Sequence, residues 1–406
     1  MNTQQLILSI GVILLAARLF GWIFQLIGQP RVVGEMTAGI ILGPSVFGRF
    51  FPGAFVHAFP SSSLPALTVL SQLGLLLFIF VVGLEVDLER ILKQRAAVVL
   101  ISNVSVVLPL VLGAGLAAAL YPQFAGDQVS FPPFALFMGT AMSVTAFPVL
   151  ARILKERDLL GSGLGTMAIS CAAIDDISAW LLLAILTAMV HSGQSWHHLA
   201  LTLLWLVIFV IIMLVPIRRA AGFLESRYPT HGVGAEFISS IVLVLLAASW
   251  TTERLGVHAL FGAFMAGLVM PRNERMIAKV VERIESLSLA LLLPLFFALT
   301  GLRTRIDLLT GKSMWGYASA IVATAVLGKF LGASLTAKAT GMNWRDSLGL
   351  GVLMNTRGLV ELVILNAGLD LGVLSPPLFS MMVLMALVTT FMTTPLLIAL
   401  KIQPHP

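Results

Sequence analysis

The chain has 406 residues, of which 58% are hydrophobic and 11% charged, and a formal charge of +6. Soluble domains carry roughly 25% charged residues, so the composition excludes a water-soluble protein and predicts an all-α integral membrane protein set in a lipid bilayer. The basic residues are spread over short loops rather than gathered in a patch, which argues for membrane topology and against a nucleic-acid surface.

Apolar runs of about 20 residues, the length that crosses a bilayer, exclude a porin-type barrel, whose strands alternate polar and apolar residues. They predict thirteen helices, over 5–27, 31–48, 65–86, 95–121, 131–155, 161–190, 198–218, 235–254, 256–271, 286–302, 314–338, 346–369 and 376–401. The first run lacks a basic segment before it and a small-residue cleavage site after it, so it reads as a span and not a signal peptide. Residues 1–401 read as a single transmembrane transporter domain, with no soluble regulatory domain. Loops are short and rich in Pro, Gly and charge, as in YPQFAGDQVSFPP (121–133). The lone cysteine, Cys171, excludes a disulfide framework and reads as packing.

An odd number of spans puts the termini on opposite sides. With the N-terminus outside, about 17 Lys and Arg fall in cytoplasmic segments and about 5 in external ones. The inner groups are Arg90, Lys93, Arg95; Arg152, Lys155, Arg157; Arg218, Arg219, Arg227; and Arg272, Arg275, Lys279, Arg283. The expected orientation is N-terminus outside and C-terminus cytoplasmic, in a bacterial inner membrane.

An internal repeat follows. LIGQPRVVGEMTAGIILGP (26–44) resembles RLGVHALFGAFMAGLVMP (254–271), with Gly28, Gly34, Ala38 and Gly39 on Gly256, Gly262, Ala266 and Gly267. LLFIFVVGLEVDL (76–88) resembles PLFFALTGLRTRI (294–306), with Gly83 on Gly301. LGAGL (112–116) matches LGASL (331–335), and GTAMSVTAFPVL (139–150) lies over GVLMNTRGLVEL (351–362). The order is kept at offsets of about 220 residues. Helices 1–6 therefore correspond to helices 8–13 with helix 7 as linker, and six spans plus a seventh invert the second copy. Inverted repeats with discontinuous helices at matching positions mark secondary transporters of alternating access. Here SVTAFP (143–148) and NTRGLVE (355–361) interrupt helices 5 and 12.

Few ionisable residues lie well inside the spans: Asp175, Asp176, Lys329, Arg357 and Glu361, with Arg18 and Glu35 nearer the borders. Each is a functional hypothesis. Asp175 and Asp176, in CAAIDDISAW (171–180), point about 100° apart on one helix. Burial favours the protonated carboxylate and a nearby cation favours the ionised one, so a proton and a sodium or potassium ion can compete there. Lys329, in VLGKFLGASL, must pair or lose its proton, and a salt bridge to Asp175 is expected. Arg357 and Glu361 share a face if helix 12 is continuous between them; their expected role is electrostatic support of the broken-helix ends. Thr145, Asn355 and, more weakly, Ser143 offer neutral oxygens for a hard cation. His191, His197 and His198 read as a solvated loop. The absence of Walker, metal-protease and dinucleotide motifs leaves a transporter, with no enzymatic activity and no cofactor beyond the transported ions.

VGEMTAGIILGPS, FVVGLEVDL, TAMSVTAFPVLARIL, the Asp175–Asp176 pair and NTRGLVELVILNAG together resemble the monovalent cation:proton antiporter-2 family over about residues 5–400. The nearest branches are the plant-type cation/proton exchangers and the bacterial glutathione-regulated potassium-efflux systems. The resemblance implies thirteen helices with crossed, broken helices 5 and 12, a homodimer, and a role in pH homeostasis. It implies a scaffold of about 5–86 and 235–302, a linker of about 198–218, and a moving core of about 95–190 and 314–401 in an elevator-like motion. Asp176 would bind ion and proton, Asp175 would be the second carboxylate partnered by Lys329, and Thr145 would lie at the helix-5 break. Two adjacent aspartates imply electrogenic exchange. Many relatives continue into a cytosolic nucleotide-binding domain; the sequence stops at KIQPHP, so such gating is expected only from a separate regulatory subunit or from a longer chain of which this is a piece. Some branches place the helix-12 glutamate beside the glycine, whereas Glu361 is three residues past Gly358. A coupled organic-solute symporter and a channel-like potassium efflux system are the alternatives.

Overall fold

The computed structural model describes residues 3–86, 96–126, 129–191, 196–227, 235–271, 279–284 and 288–402. Among them the only strand-like feature is a bridge between Ala125 and Leu374; the rest is helix and connection. Arg90, Lys93, Arg95, Arg272 and Arg275, used above to orient the chain, lie outside the described residues.

In chain order the helices are α1 (Thr3–Leu26), α2 (Arg31–Leu42), the short α3 (Phe47–Phe50) and α4 (Pro52–Ala58), and α5 (Leu64–Glu85). Then come α6 (Ala96–Phe124), α7 (Phe131–Ser143), α8 (Phe147–Glu156), α9 (Gly163–His191), α10 (Trp196–Ile212) and α11 (Arg218–Arg227). The last are α12 (Ala235–Arg254), α13 (Ala259–Leu268), α14 (Leu293–Arg303), α15 (Gly311–Ala339), α16 (Trp344–Met354), α17 (Leu359–Asp370) and α18 (Pro376–Ala399). Nine helical stretches in the described residues are long and apolar enough to cross a membrane, ten if α16 and α17 count as one bent span.

Two predicted spans are shorter than expected: α2 has 12 residues and α13 has 10, whereas α14 continues a π-helical turn, Ser288–Leu292, so the span expected over 286–302 is helical from 288 to 303. The cause is local at α2, where Gly43 caps the helix and Pro44 follows. A proline lacks the N–H that a helix needs and crowds the residue before it. Helix 7 runs past its predicted end instead. Pro216 is absorbed in a π-helical turn, Met213–Ile217, and α11 continues beyond it.

Spans 131–155 and 346–369 are both discontinuous. Between α7 and α8, Val144 and Ala146 are extended. Pro148 sits in the first turn of α8, where a missing N–H costs nothing. Between α16 and α17 the chain leaves the helix over 355–358 and bends by 40°. Arg357 lies in this gap, so it and Glu361 are not on one continuous helix, yet their side chains pair at 2.9 Å.

The described chain gathers into two compact units. One holds 1–64, 91–183 and 297–406; the other holds 65–90 and 184–296. The first thus takes α1 and α2 along with α6 to α8 and α15 to α18.

Small residues set the packing in both, as in membrane proteins where close backbone approach replaces a hydrophobic drive. In the first unit Gly34 presses on the backbone of Phe20 and Gly21, Gly39 on Phe297, and Gly301 on Gly39. Gly139 faces the Leu110 carbonyl, Gly351 the Phe330 carbonyl, and Gly328 meets Pro109. In the second unit Gly262 presses on Ala248 and Ser249, Gly267 on Phe80, and Gly83 on Phe264. Gly28 and Gly256, matched in the repeat, both adopt left-handed backbone, φ 73° and 77°. Each closes the same turn: Gln29 N–H donates to Phe24 O at 2.9 Å, and Val257 N–H to Thr252 O at 3.0 Å.

A side chain added at Gly39 would overlap the Phe297 carbonyl, whereas Gly115 has open space around it. Gly39→Ala is expected to destabilise by about 1–3 kcal/mol through overpacking. Gly115→Ala, with no clash, is expected to be neutral or to gain up to about 1 kcal/mol of helix propensity. Thermal unfolding in detergent, followed by size exclusion, measures both.

Candidate functional site

A helix that stops leaves its last four carbonyls without helical N–H partners. At the end of α7 those carbonyls are buried, and each has found a donor. Thr140 O accepts from the Ser143 hydroxyl at 2.8 Å. Ala141 O and Met142 O accept from the Arg357 guanidinium at 2.7 and 2.6 Å. Ser143 O accepts from Lys329 Nζ at 2.5 Å. The negative end of the α7 dipole is thereby met by two cations. Arg357 is fully buried and its charge is balanced by Glu361, also fully buried.

Lys329 is fully buried in α15, and its three N–H donors have three acceptors. These are Asp175 Oδ2 at 2.5 Å, Ser143 O at 2.5 Å and Ser105 O at 3.0 Å. The expected Lys329–Asp175 pair is therefore present, and one ammonium ties α6, α7, α9 and α15 together.

Asp175 is saturated. Ser102 Oγ donates to Oδ1 at 2.7 Å, and the Ser105 hydroxyl lies 3.3 and 3.2 Å from the two oxygens. Thr145 Oγ1 is 2.9 Å from Oδ2 and also 2.8 Å from Met354 O, the last residue of α16. The two breaks meet directly, with Ala146 N–H donating to Thr356 O at 3.0 Å.

Asp176 has the opposite surroundings. It is fully buried, no side-chain donor reaches either oxygen, and the backbone N–H of Phe147 at the start of α8 is turned toward it. Asn355 Oδ1, at the other break, is buried without a partner. The Thr145 and Ser143 hydroxyls of the predicted ligand set donate their hydrogens to protein groups and keep oxygen lone pairs. Among the described residues no three His, Cys, Asp or Glu side chains converge as they would for a transition metal. Cys171 is buried in an apolar cluster with Ala168, Ala172 and Leu353, and its thiol faces Val98 O at 3.7 Å. Glu35 lies 4.0 Å from Arg31 in α2, apart from this cluster.

Sequence reasoning missed Ser102 and Ser105, two of the donors to Asp175. It also missed Thr390 and Thr393 on α18, which hold the second break. Thr390 Oγ1 donates to Arg357 O at 2.7 Å and accepts the Arg357 N–H at 3.2 Å, while Thr393 meets the Thr356 hydroxyl at 3.2 Å. The available signal was spacing: Ser102 and Ser105 are three apart, and Thr389, Thr390, Thr393 and Thr394 share one stripe of an apolar helix.

Residues 13–399 match a protein-family model described as "Sodium/hydrogen exchanger, transmembrane". The chain is 40% identical over 408 residues to the Na(+)/H(+) antiporter NhaS4 of Synechocystis, covering 100% of this chain and 99% of that one. It is 40% identical to Cation/H(+) antiporter 17 of Arabidopsis thaliana, over 97% of this chain and 48% of that protein. It is 36% identical to K(+)/H(+) antiporter 1 of Saccharomyces cerevisiae, over 95% and 45%. It thus spans about half the length of the plant and yeast relatives. The solved structure of the sodium proton antiporter MjNhaP1 from Methanocaldococcus jannaschii has the same fold, with a TM-score of 0.69 over 99% of this chain and 98% of that one, at 13% identity.

Removing one partner of a buried ion pair strands the other, at a cost of about 3–5 kcal/mol. Lys329→Met is therefore expected to lower the thermal midpoint sharply. Adding Asp175→Asn should recover much of the loss, since the stranded charge goes with it. A double-mutant cycle of thermal midpoints checks this; a double mutant no more stable than Lys329→Met contradicts the pairing.

Proposed function

The chain belongs to the sodium/hydrogen exchanger family of transmembrane proteins, and on that premise we propose that it exchanges a monovalent cation, sodium or potassium, for protons. The observation that carries this reading is the contrast between the two aspartates. Asp175 is met by an ammonium and by hydroxyls, whereas Asp176 faces only the backbone N–H of Phe147 and no side-chain donor. A buried, ionised carboxylate with so few donors is costly. A proton or a cation removes that cost, and one site cannot hold both. An empty site is the hardest to carry through an apolar environment, so the protein changes sides with one ion or the other bound. Alternation of that kind is exchange.

Asp176 is the carboxylate that binds ion and proton, with Asn355 as a neutral ligand. Asp175 and Lys329 form the second charged pair. Cation binding loosens it, and the protons released from the two sites make the exchange electrogenic. Arg357 and Glu361 hold the α7 end in place. The moving core comprises about 95–190 and 314–401, and the scaffold, through which two copies dimerise, comprises about 5–86 and 235–302. The shorter helices α2 and α13 and the helical stretch 288–303 complete thirteen spans.

Support for two inverted repeats comes from reciprocity. Gly39 meets Gly301, and their repeat equivalents Gly267 and Gly83 lie in another mutual contact region, Gly267 on Phe80 and Gly83 on Phe264. Pro109 and Gly328, equivalent by the LGAGL/LGASL match, meet each other. The N-terminus is placed outside and the C-terminus in the cytoplasm.

In proteoliposomes carrying an imposed proton gradient, sodium or potassium is expected to discharge the gradient, and Asp176→Asn to abolish the response. Persistent exchange in Asp176→Asn would remove that residue from the site. Asp175→Asn is expected to weaken the dependence of flux on membrane potential more than the apparent affinity for cation. Flux equally sensitive to potential in wild type and variant contradicts the charge-carrying role.

A further inference from the structure

Away from the acidic pair, one buried polar side chain has its orientation dictated by a neighbour and an oxygen left over. Pro395 lies within α18. A proline has no N–H for the carbonyl one turn earlier, and that carbonyl belongs to Phe391. Gln29 supplies the donor, with Nε2 3.3 Å from Phe391 O. A carbonyl can only accept, so the amide must present nitrogen to Phe391 and turn its oxygen away. Gln29 is 4% exposed, and its Oε1 has no hydrogen-bond partner. Gly28, in left-handed backbone, makes the turn that brings Gln29 to this place.

Gln29 lines a cavity of about 610 Å³, together with Gln25, Thr394, Glu156, Arg157 and Asp158. Charge alone does not define what belongs there. Glu156 pairs with Arg152 at 3.1 Å, and Arg157 sets a guanidinium in the same wall as the Asp158 carboxylate. Neutral oxygen chemistry suits it better: Gln29, whose buried amide oxygen has no donor, and Thr394 both line the cavity, and such oxygens suit a hard cation that has shed part of its water. Thr394 follows Thr393 in α18, whose hydroxyl meets Thr356 in the second helix break.

We infer that Gln29 Oε1 and the Thr394 hydroxyl, with a carboxylate of the rim, form a loading subsite where a sodium or potassium ion is partly dehydrated before it reaches Asp176. This deepens the exchange reading and rests on it. The site serves traffic from one face only, the face where α1 ends and α2 begins.

Two substitutions separate the roles of the amide. Gln29→Lys keeps a donor for Phe391 and removes the oxygen; Gln29→Glu keeps an oxygen and removes the donor. Uniformly oriented proteoliposomes are assayed with sodium chloride or potassium chloride on each face in turn. Gln29→Lys is expected to raise the apparent KM severalfold for cation offered on the cavity face, much more than it lowers the maximal rate, with little change from the opposite face. Gln29→Glu is expected to keep KM at or below that of wild type. Thr394→Val should raise KM from the cavity face alone. The reverse order, with Gln29→Lys like wild type and Gln29→Glu impaired or unfolded, makes Gln29 a cap for Phe391 and overturns the subsite. Unchanged KM in Gln29→Lys and Thr394→Val also overturns it, and leaves water as the occupant. Absence of any cation-driven proton flux in wild type would instead sink the exchange reading itself.

Discussion

Backbone carbonyls at an interrupted helix end, buried where water does not reach, are the constraint on which the rest of this site depends. An unmet carbonyl in such a place costs as much as a lost hydrogen bond or more. At the end of α7 the protein meets the demand with charge, using Lys329 and Arg357. Each cation then needs a counter-charge, which fixes Asp175 beside one and Glu361 beside the other. One interrupted helix end thus accounts for four of the five ionisable groups deep in the spans. Asp176 is the one it does not explain, and it is the one with no charged or side-chain partner, facing only the backbone N–H of Phe147.

The second break is handled differently. Where α16 ends, Met354 O receives the Thr145 hydroxyl and Thr356 O receives a backbone N–H from the first break. Hydroxyls of α18 hold the rest. No fixed cation among the hydrogen bonds described here sits on the α16 end as two sit on the α7 end. On the exchange reading proposed above, this asymmetry leaves the negative end of the α16 dipole, next to the Asn355 amide oxygen, for the mobile cation.

Much of this was legible beforehand. Long apolar runs mark spans because the bilayer sets their length, and the paired interruptions mark breaks because polar residues stand where lipid-facing ones would. Lys329 and Asp175 were legible as partners because neither can be buried alone. Helix ends were less so: α2 was expected to run to residue 48, but Gly43 and Pro44 end it at Leu42. The hydroxyl donors were marked by spacing alone. Serine and threonine are tolerated in apolar helices by bonding their own carbonyls, as Thr389 does here, so beyond their spacing Ser102 and Ser105 carry no mark in the sequence that sets them apart. Nor was it evident that Arg357 reaches across to α7, since its target is backbone.

That last point governs which positions can vary. The groups gripped by Arg357 and Lys329 are the carbonyls of Ala141, Met142 and Ser143, and every residue type has a carbonyl. The receiving segment is therefore free to drift in side-chain identity wherever volume allows, while the gripping residues are not. Lysine in place of Arg357 could not reach two carbonyls and a carboxylate with one planar fork. The stringency of the break is recorded far along the chain, at 329 and 357, and hardly at all in the segment that is broken.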